Sequence, residues 1–340
     1  MIEENKNIYI SSWLLLITIL VAIMIIVGGL TRLTDSGLSI TRWDLFTGII
    51  PPLTFDDWSH AFFLYKQIPE FKLLNSEMTL NEFKYIYWWE YIHRLLGRIV
   101  GLFYILPLLF FTLKKKINNK KLITFYFIFL LICLQGFVGW YMVKSGLIER
   151  TDVSHYRLSM HLTLAFIIYI FLYWNFLDYK NIKKTSFCKK IPFNLPIIFL
   201  FLLLIQISVG AFVSGLDAGR IYQTWPLMNN AYFPDDSSIQ DLFHLKMFSV
   251  PSLVQFTHRN LAYLIFLLFL IIIFITFIKD EYKYLRKIVG IIFILLIFQI
   301  FLGILTVLSG ASLIVASMHQ IGSIILISAS LILVYRNLKN

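Results

Sequence analysis

The chain has 340 residues, of which 59% are hydrophobic and only 14% charged, and its formal net charge is +11. A soluble domain is about half apolar and a quarter charged, so this composition excludes an ordinary soluble protein and indicates a polytopic membrane protein. The positive charge is concentrated in alternate connecting segments, which makes it a signal of membrane topology and not of nucleic-acid binding.

Apolar runs of about 20 residues, the length that a helix needs to cross a bilayer, recur along the whole chain. There are eight, and they cover residues 11–30, 92–113, 122–143, 158–177, 194–215, 257–278, 288–308 and 313–335. In hydrocarbon the backbone polar groups must be satisfied within their own segment, so each run is predicted to be a helix. The predicted fold is an all-α integral membrane protein with eight transmembrane helices.

Charge in the connecting segments predicts the orientation. Basic residues cluster after the second, fourth and sixth runs and near both termini, for example at residues 114–116 and 283–287. Segments rich in lysine and arginine remain in the cytoplasm, so both termini are predicted to be cytoplasmic. The N-terminal sequence MIEENKNIYI is acidic and unlike an arginine-rich mitochondrial transit peptide, so the predicted location is a bacterial inner membrane.

The chain contains an internal repeat. VGGLTRLTDSGLSITRW (27–43) aligns without a gap over VGAFVSGLDAGRIYQTW (209–225), at a constant offset of 182 residues. Later pairs match at smaller offsets: His93-Arg94 with His258-Arg259, Gln135 and Gly139 with Gln299 and Gly303, and Met160-His161 with Met318-His319. The repeat predicts two pseudo-symmetric four-helix bundles in parallel orientation, residues 1–177 and 193–340, joined by a basic cytoplasmic linker at 178–192.

Four of the seven histidines lie near the beginning of an even-numbered run, two in each half: His93, His161, His258 and His319. Even-numbered runs begin at the outer side, so all four are predicted to lie at one depth near the periplasmic face. Polar residues inside membrane spans are costly and usually functional. A structural zinc site takes four protein ligands, whereas haem iron takes two axial nitrogens from opposite sides. Each half is therefore predicted to bind a haem iron through its two histidines.

Two further features accompany these histidines. Arg94, Arg98 and Arg259 are candidate partners for anionic haem propionates, with interface anchoring as the alternative. A small residue, such as Gly97 after His93, follows each histidine by four positions on the same helix face. It would leave room for a flat macrocycle, although small residues also suit ordinary helix packing.

The two halves differ at one position. Glu90 precedes His93 by three residues, and Gln255 precedes His258 by the same spacing. A carboxylate can take up a proton or stabilise a developing positive charge, which an amide cannot do. This difference predicts one reactive site, in the N-terminal half, and one site that only holds its haem.

These motifs resemble those of the haem A synthase family, over nearly the whole chain. GGLTRLTDSGLSITRW with GIIPP (48–52) is similar to the first outer-loop motif of that family, and EYIHRLLGRIVG (90–101) to its second-span motif. THR (257–259) and MHQ (318–320) resemble its C-terminal haem ligands. The two cysteines, Cys133 and Cys188, lie outside the outer loops, so the chain is similar to the cysteine-free type of proteobacteria and mitochondria.

The resemblance implies an oxidoreductase that converts the C8 methyl group of haem O to the formyl group of haem A, for use in terminal cytochrome oxidases. It implies that His258 and His319 ligate a haem b cofactor, that His93 and His161 line the haem O site, and that Glu90 is required for catalysis. Our mechanistic hypothesis takes the oxygen from water. The expected partners are haem O and membrane lipid, with haem O synthase, cytochrome oxidase assembly factors and a second copy of the chain as further candidates.

Two alternatives remain at this point. A dihaem b-type electron-transfer protein would share the four histidines, but its two centres would be equivalent and would not need Glu90. A transporter built on a parallel repeat would place polar residues along a path through the bilayer, whereas here the ionisable residues cluster at the membrane faces.

Overall fold

The computed structural model describes residues 2–43, 47–180 and 189–338. Most of the predicted linker, residues 181–188 including Cys188, lies outside the described residues. The described chain is almost entirely helical, and its only β-type pairing is an isolated bridge between Met228 and Ala231. The predicted all-α fold is confirmed.

The described residues form ten α-helices. They are α1 (Ile2–Leu33), α2 (Phe55–Tyr65), α3 (Pro69–Leu74), α4 (Leu80–Leu113), α5 (Asn119–Glu149), α6 (His155–Tyr179), α7 (Leu195–Gly215), α8 (Pro251–Ile278), α9 (Arg286–Leu308) and α10 (Leu313–Leu338). Eight of the ten, all except α2 and α3, are long and apolar enough to cross a membrane. They correspond one to one to the eight predicted spans.

Several of these helices extend beyond the apolar runs that predicted them. Helix α4 begins at Leu80, far before residue 92, because Thr79 and Glu82 form a capping box in which the Glu82 carboxylate accepts from the Thr79 N–H at 2.8 Å. Helix α8 begins at Pro251, where proline suits the first helical position. The length of an apolar run in the sequence indicates only the part of a helix that lies in hydrocarbon. His93 therefore lies well inside α4, and not in the first turns of its helix as the apolar run indicated.

The first compact unit consists of Leu16–Ile168, which includes most of α1, helices α2 to α5 and the first half of α6. Its outer segment has a hydrophobic core of its own, in which Trp58, Phe62 and Tyr65 of α2 pack against Phe83 and Tyr87 of α4. The Phe62 and Phe83 rings stack with centroids 5.0 Å apart. The predicted outer loop is therefore a folded cap over the end of α4.

Glu70 is buried in this cap. Its side chain is 4% exposed and accepts a hydrogen bond from the Tyr65 hydroxyl at 3.2 Å. Burial raises the pKa of Glu70 to about 8, since desolvation penalises the charged carboxylate.

The second compact unit consists of Met1–Leu15 and Tyr169–Asn340. Helix α7 packs against α8 and α10, and α9 packs against α8 and α10. Phe199 of α7 and Phe269 of α8 are fully buried, with ring centroids 4.7 Å apart. The helical parts of the segment between α7 and α8 are short 3₁₀ turns, Ala218–Arg220, Ile239–Phe243 and Leu245–Ser249.

The aligned repeat produces the same local backbone in both units. Helix α1 closes with the Thr34 N–H donating to the Leu30 carbonyl at 2.9 Å, and α7 closes with Leu216 donating to Phe212 at 3.0 Å. The next residue is an aspartate in the left-handed region in each unit, Asp35 with φ 48° and Asp217 with φ 50°. Aspartate tolerates this conformation better than most residues, so the matched sequence ends both helices in the same way.

Candidate active site and paired histidines

The first unit brings two of the predicted site histidines together. His93 on α4 and His161 on α6 lie with ring centroids 6.5 Å apart and ring planes at 64°. The second unit pairs His258 on α8 with His319 on α10, again at 6.5 Å and with planes at 75°. The four histidines thus form the two predicted pairs, one in each unit.

This spacing fits two axial ligands of one metal ion. An imidazole nitrogen coordinates such an ion at about 2 Å, so two rings on opposite sides of it have centres roughly 6 Å apart. Among the described residues, no group of three or more His, Cys, Asp or Glu side chains could hold a metal ion. Each pair offers the two axial nitrogens that haem iron accepts from a protein.

Each imidazole lies against a glycine of the preceding long helix. The pairs are Gly28 with His93, Gly139 with His161, Gly210 with His258, and Gly303 with His319. A Cβ atom at these glycines would lie between 2.9 and 3.1 Å from the nearest ring atom, closer than nearly all real Cβ contacts. The glycines therefore form cradles, and any larger residue would displace the ring.

Three of the four histidines also lie beside a glutamine on the same preceding helix. Gln135 donates through Nε2 to the backbone carbonyl of His161 at 3.0 Å, and this nitrogen lies 3.3 Å from a ring nitrogen of His161. Gln206 holds His258 with the same two distances. Gln299 donates to the carbonyl of His319 at 2.8 Å and lies 3.3 Å from its ring nitrogen. The bonds to the carbonyls fix where the backbone of each histidine lies, and they thereby position the ring that it carries.

Glu90 is buried in the first unit, with 3% of its surface exposed. Its Oε2 accepts from the Ser39 hydroxyl at 2.7 Å and from the Ile40 N–H at 2.8 Å. Its Oε1 accepts from Arg94 Nε at 3.0 Å and Nη2 at 2.5 Å. Four donors therefore surround the carboxylate, a set of partners that suits the ionised form.

Arg94 ties the same carboxylate to the segment that follows α1. Its guanidinium donates to the Ile40 carbonyl at 2.8 Å and to the Arg42 carbonyl at 3.0 Å, and it lies 4.9 Å from the centre of the Trp43 ring. Most of its N–H groups are used in these contacts. In this arrangement Arg94 organises the outer end of the site, in addition to its predicted role towards a propionate.

The second unit has the corresponding contacts but no carboxylate. Arg259 donates to the Tyr222 carbonyl at 2.9 Å and to the Leu227 carbonyl at 3.3 Å. The Gln255 amide donates to the same Tyr222 carbonyl at 3.2 Å, and its own oxygen is buried without a partner. Tyr222 aligns with Ile40 in the repeat. At this matched position Glu90 accepts a hydrogen bond from the backbone N–H of the loop, whereas Gln255 donates one to the backbone carbonyl.

Arg98 lines a cavity of about 410 Å³ at the outer side of the first unit. Arg42 and Arg94 line it as well, together with Tyr91 and His60. The Tyr91 hydroxyl donates to the Ile49 carbonyl at 2.5 Å and so fixes the GIIPP segment that forms one wall. The cavity combines cationic and aromatic groups, which suits an anionic group attached to an apolar body.

The sequence reasoning identified the histidines and Glu90 but missed the glycine cradles and the glutamine contacts. Gly28, Gly139, Gln135 and their repeat partners were visible as matched positions. Their roles could have been inferred by asking why polar and glycine residues recur inside apolar helices. Ser39 carries no such signal, because its contact with Glu90 spans 51 residues of chain.

Comparisons with known proteins agree with these observations. The family model described as cytochrome oxidase assembly protein matches residues 11–331. Similar relatives named heme A synthase include that of Pelagibacter ubique, 51% identical and covering 98% of both chains. Those of Rickettsia bellii (44% identical, 99% of both chains) and Rickettsia conorii (43% identical, 94% of this chain and 95% of the relative) are also similar. Matches of this length and identity confirm the resemblance seen in the motifs: the chain belongs to the haem A synthase family.

Proposed function

We propose that this protein is a haem A synthase, which oxidises the C8 methyl group of haem O to a formyl group for terminal cytochrome oxidases. The observation that carries this proposal is the difference between two otherwise matching histidine pairs. Glu90 and Arg94 accompany the first pair, and Gln255 and Arg259 accompany the second. A dihaem electron-transfer protein, the alternative, has no use for a buried carboxylate in one unit alone.

His258 and His319 are the proposed ligands of a resident haem b. Their ring spacing of 6.5 Å and the cradles at Gly210 and Gly303 support the proposal that these two imidazoles would together hold one haem iron. When bound, haem b supplies one-electron transfer away from the oxidation site. Arg259 is the proposed propionate partner on this side, where its bonds to the carbonyls of Tyr222 and Leu227 hold its guanidinium in place.

His93 and His161 are the proposed ligands of the substrate, haem O. Holding the substrate iron on both faces fixes the ring and therefore the position of the reacting methyl group. With water as the oxygen source, conversion of the methyl to the formyl group releases four electrons and four protons. The first two-electron oxidation, with addition of one water, gives a hydroxymethyl group. The second, with addition of another water, gives a geminal diol, which loses one water to form the formyl group.

Glu90 has two conceivable roles in this chemistry, as a proton acceptor or as a fixed negative charge. The four donors on its two oxygens support the second role, since a water proton could reach the carboxylate only after a donor left it. A preorganised charge beside a substrate that becomes electron-deficient stabilises the transition state without reorganising. Arg94 and Arg98 are the proposed propionate partners of this site.

The remaining proposals concern topology and partners. Residues 1–177 form the substrate half, 193–340 the haem b half, and 178–192 a cytoplasmic linker. Both termini are in the cytoplasm and both histidine pairs lie near the periplasmic face, because the basic connections are on the opposite side. The proposed protein partners are haem O synthase, cytochrome oxidase assembly factors and a second copy of the chain.

The test is Glu90→Gln in full-length protein expressed in cells that make haem O, with haems extracted and separated by chromatography. We expect retained haem b, accumulated haem O and a fall in haem A of roughly 100-fold, the usual cost of removing one electrostatic transition-state contact. Glu82→Gln, on the same helix but at its capped start, is the matched control. Equal haem A from both variants would refute the role of Glu90, and absence of haem A even with the unmodified protein would favour the dihaem alternative.

A further inference from the structure

The glutamine contacts distinguish His93 from the other three histidines. Gln135, Gln206 and Gln299 each donate to the backbone carbonyl of the adjacent histidine at 2.8–3.0 Å and lie 3.3 Å from its ring. Within the described part of the chain, no side chain donates to the His93 carbonyl or lies beside its ring in this way. His93 is the one histidine of the four without such a glutamine, and it lies in the unit with the proposed substrate site.

Met24 stands where the fourth glutamine would be. The repeat offset of 182 that aligns residues 27–43 with 209–225 places Met24 over Gln206. The packing agrees, because Gly28 lies against His93 as Gly210 lies against His258. Furthermore, the Met24 methyl group lies 3.7 Å from the Cβ position of Gly97, one turn beyond His93 on α4. A thioether is only a weak acceptor and donates no hydrogen bond, so Met24 cannot hold His93 as Gln206 holds His258.

We propose that Met24 makes His93 the more easily released ligand of the first pair, while Gln135 holds His161 as the more firmly positioned one. This inference rests on the proposed function, in which the first pair binds a substrate and the second a resident cofactor. A substrate haem must enter and its product must leave, which requires one axial bond that breaks easily. A resident haem is retained better when both ligands are held, as Gln206 and Gln299 hold His258 and His319.

The magnitude follows from outer-shell contacts in other metal sites, whose removal typically costs 10- to 100-fold in metal affinity. Installing such a contact at His93 should strengthen that axial bond by a similar factor. Removing it at His258 should weaken the corresponding bond in the second unit. In this scheme Met24 and the three glutamines are positioning residues, which act on the iron only through a histidine.

The experiment measures carbon monoxide binding to the reduced full-length protein, because this probe binds only where an axial ligand has left the iron. In the unmodified protein we expect carbon monoxide to bind haem O and to spare haem b. Met24→Gln should slow binding to haem O at least tenfold, as expected for one outer-shell contact. Met24→Leu, which keeps an apolar side chain of similar size, should react like the unmodified protein.

The reciprocal variant is Gln206→Met, which should make haem b reactive towards carbon monoxide. If Met24→Gln fails to accumulate in the membrane, the carbon monoxide binding of Gln206→Met tests the inference by itself. Unchanged carbon monoxide kinetics for both haems in the variants that accumulate would overturn the inference. Failure of the proposed function is distinguishable, since the haems extracted from the unmodified protein would then contain neither haem O nor haem A.

Discussion

Substitution of Gly303 by alanine tests the cradle on which the haem b proposal depends. A Cβ atom at this position would lie 3.0 Å from Cε1 of His319, whereas carbon atoms in favourable contact lie about 3.5–4.0 Å apart. The imidazole must move by roughly half an ångström or more to relieve the contact. The movement would shift a proposed iron ligand away from the position set by Gln299.

The magnitude follows from the cost of overpacking. Inserting one methyl group into a well-packed site costs about 1–3 kcal/mol. Because about 1.4 kcal/mol corresponds to a tenfold change in affinity, haem b should bind roughly 5- to 150-fold more weakly. Alanine also favours a helix over glycine by up to about 1 kcal/mol, which acts in the opposite direction on stability.

Gly290→Ala separates these two effects. Gly290 lies on the same helix, α9, and nothing is within 4 Å of its Cβ position, so this variant gains the helix preference without the contact. The assay is haem b per purified protein by pyridine-haemochrome absorbance, measured after washing with a competing haem-binding protein. We expect loss of haem b from Gly303→Ala and retention in Gly290→Ala. Equal retention in the two variants would refute the cradle.

Two further predictions address the carboxylates. Arg94→Lys keeps the positive charge but loses the paired contacts with Glu90 and the bonds to two backbone carbonyls. Haem A formation should therefore fall at least tenfold while haem b is retained. Chromatography of the extracted haems measures the ratio of haem A to haem O, and conversion equal to that of the unmodified protein would contradict this prediction. The pKa of Glu70 is raised from 4.5 to about 8 by burial, so its contribution to stability is fully present below pH 4.5 and is lost as the pH rises to 8. Glu70→Gln should therefore become increasingly more stable than the unmodified protein across this interval, as seen in thermal unfolding midpoints, and a constant difference between the two proteins would contradict the assignment.

The eight spans, the histidine pairs and the Glu90–Gln255 difference could all be predicted from the sequence. Hydrocarbon imposes a minimum apolar length on every spanning helix, and the spans therefore appear directly in the order of residues. The internal repeat supplied a second copy for comparison, which separated Glu90 from the features that both halves share. The start of α4 at Leu80 was not predicted, because its first turns are polar and are held by a capping box outside the apolar run.

The sequence by itself identified the four histidines that we propose as ligands of two haem irons, and the half in which an acid stands near such a histidine. The tertiary structure decided what surrounds those residues: the glycine beneath each ring, the glutamine beside three of them, and the four donors on Glu90. These contacts join residues that are tens of positions apart, so neither apolar length nor helical spacing encodes them. They arise only when neighbouring helices pack close enough for a side chain on one to reach the backbone or ring of the other.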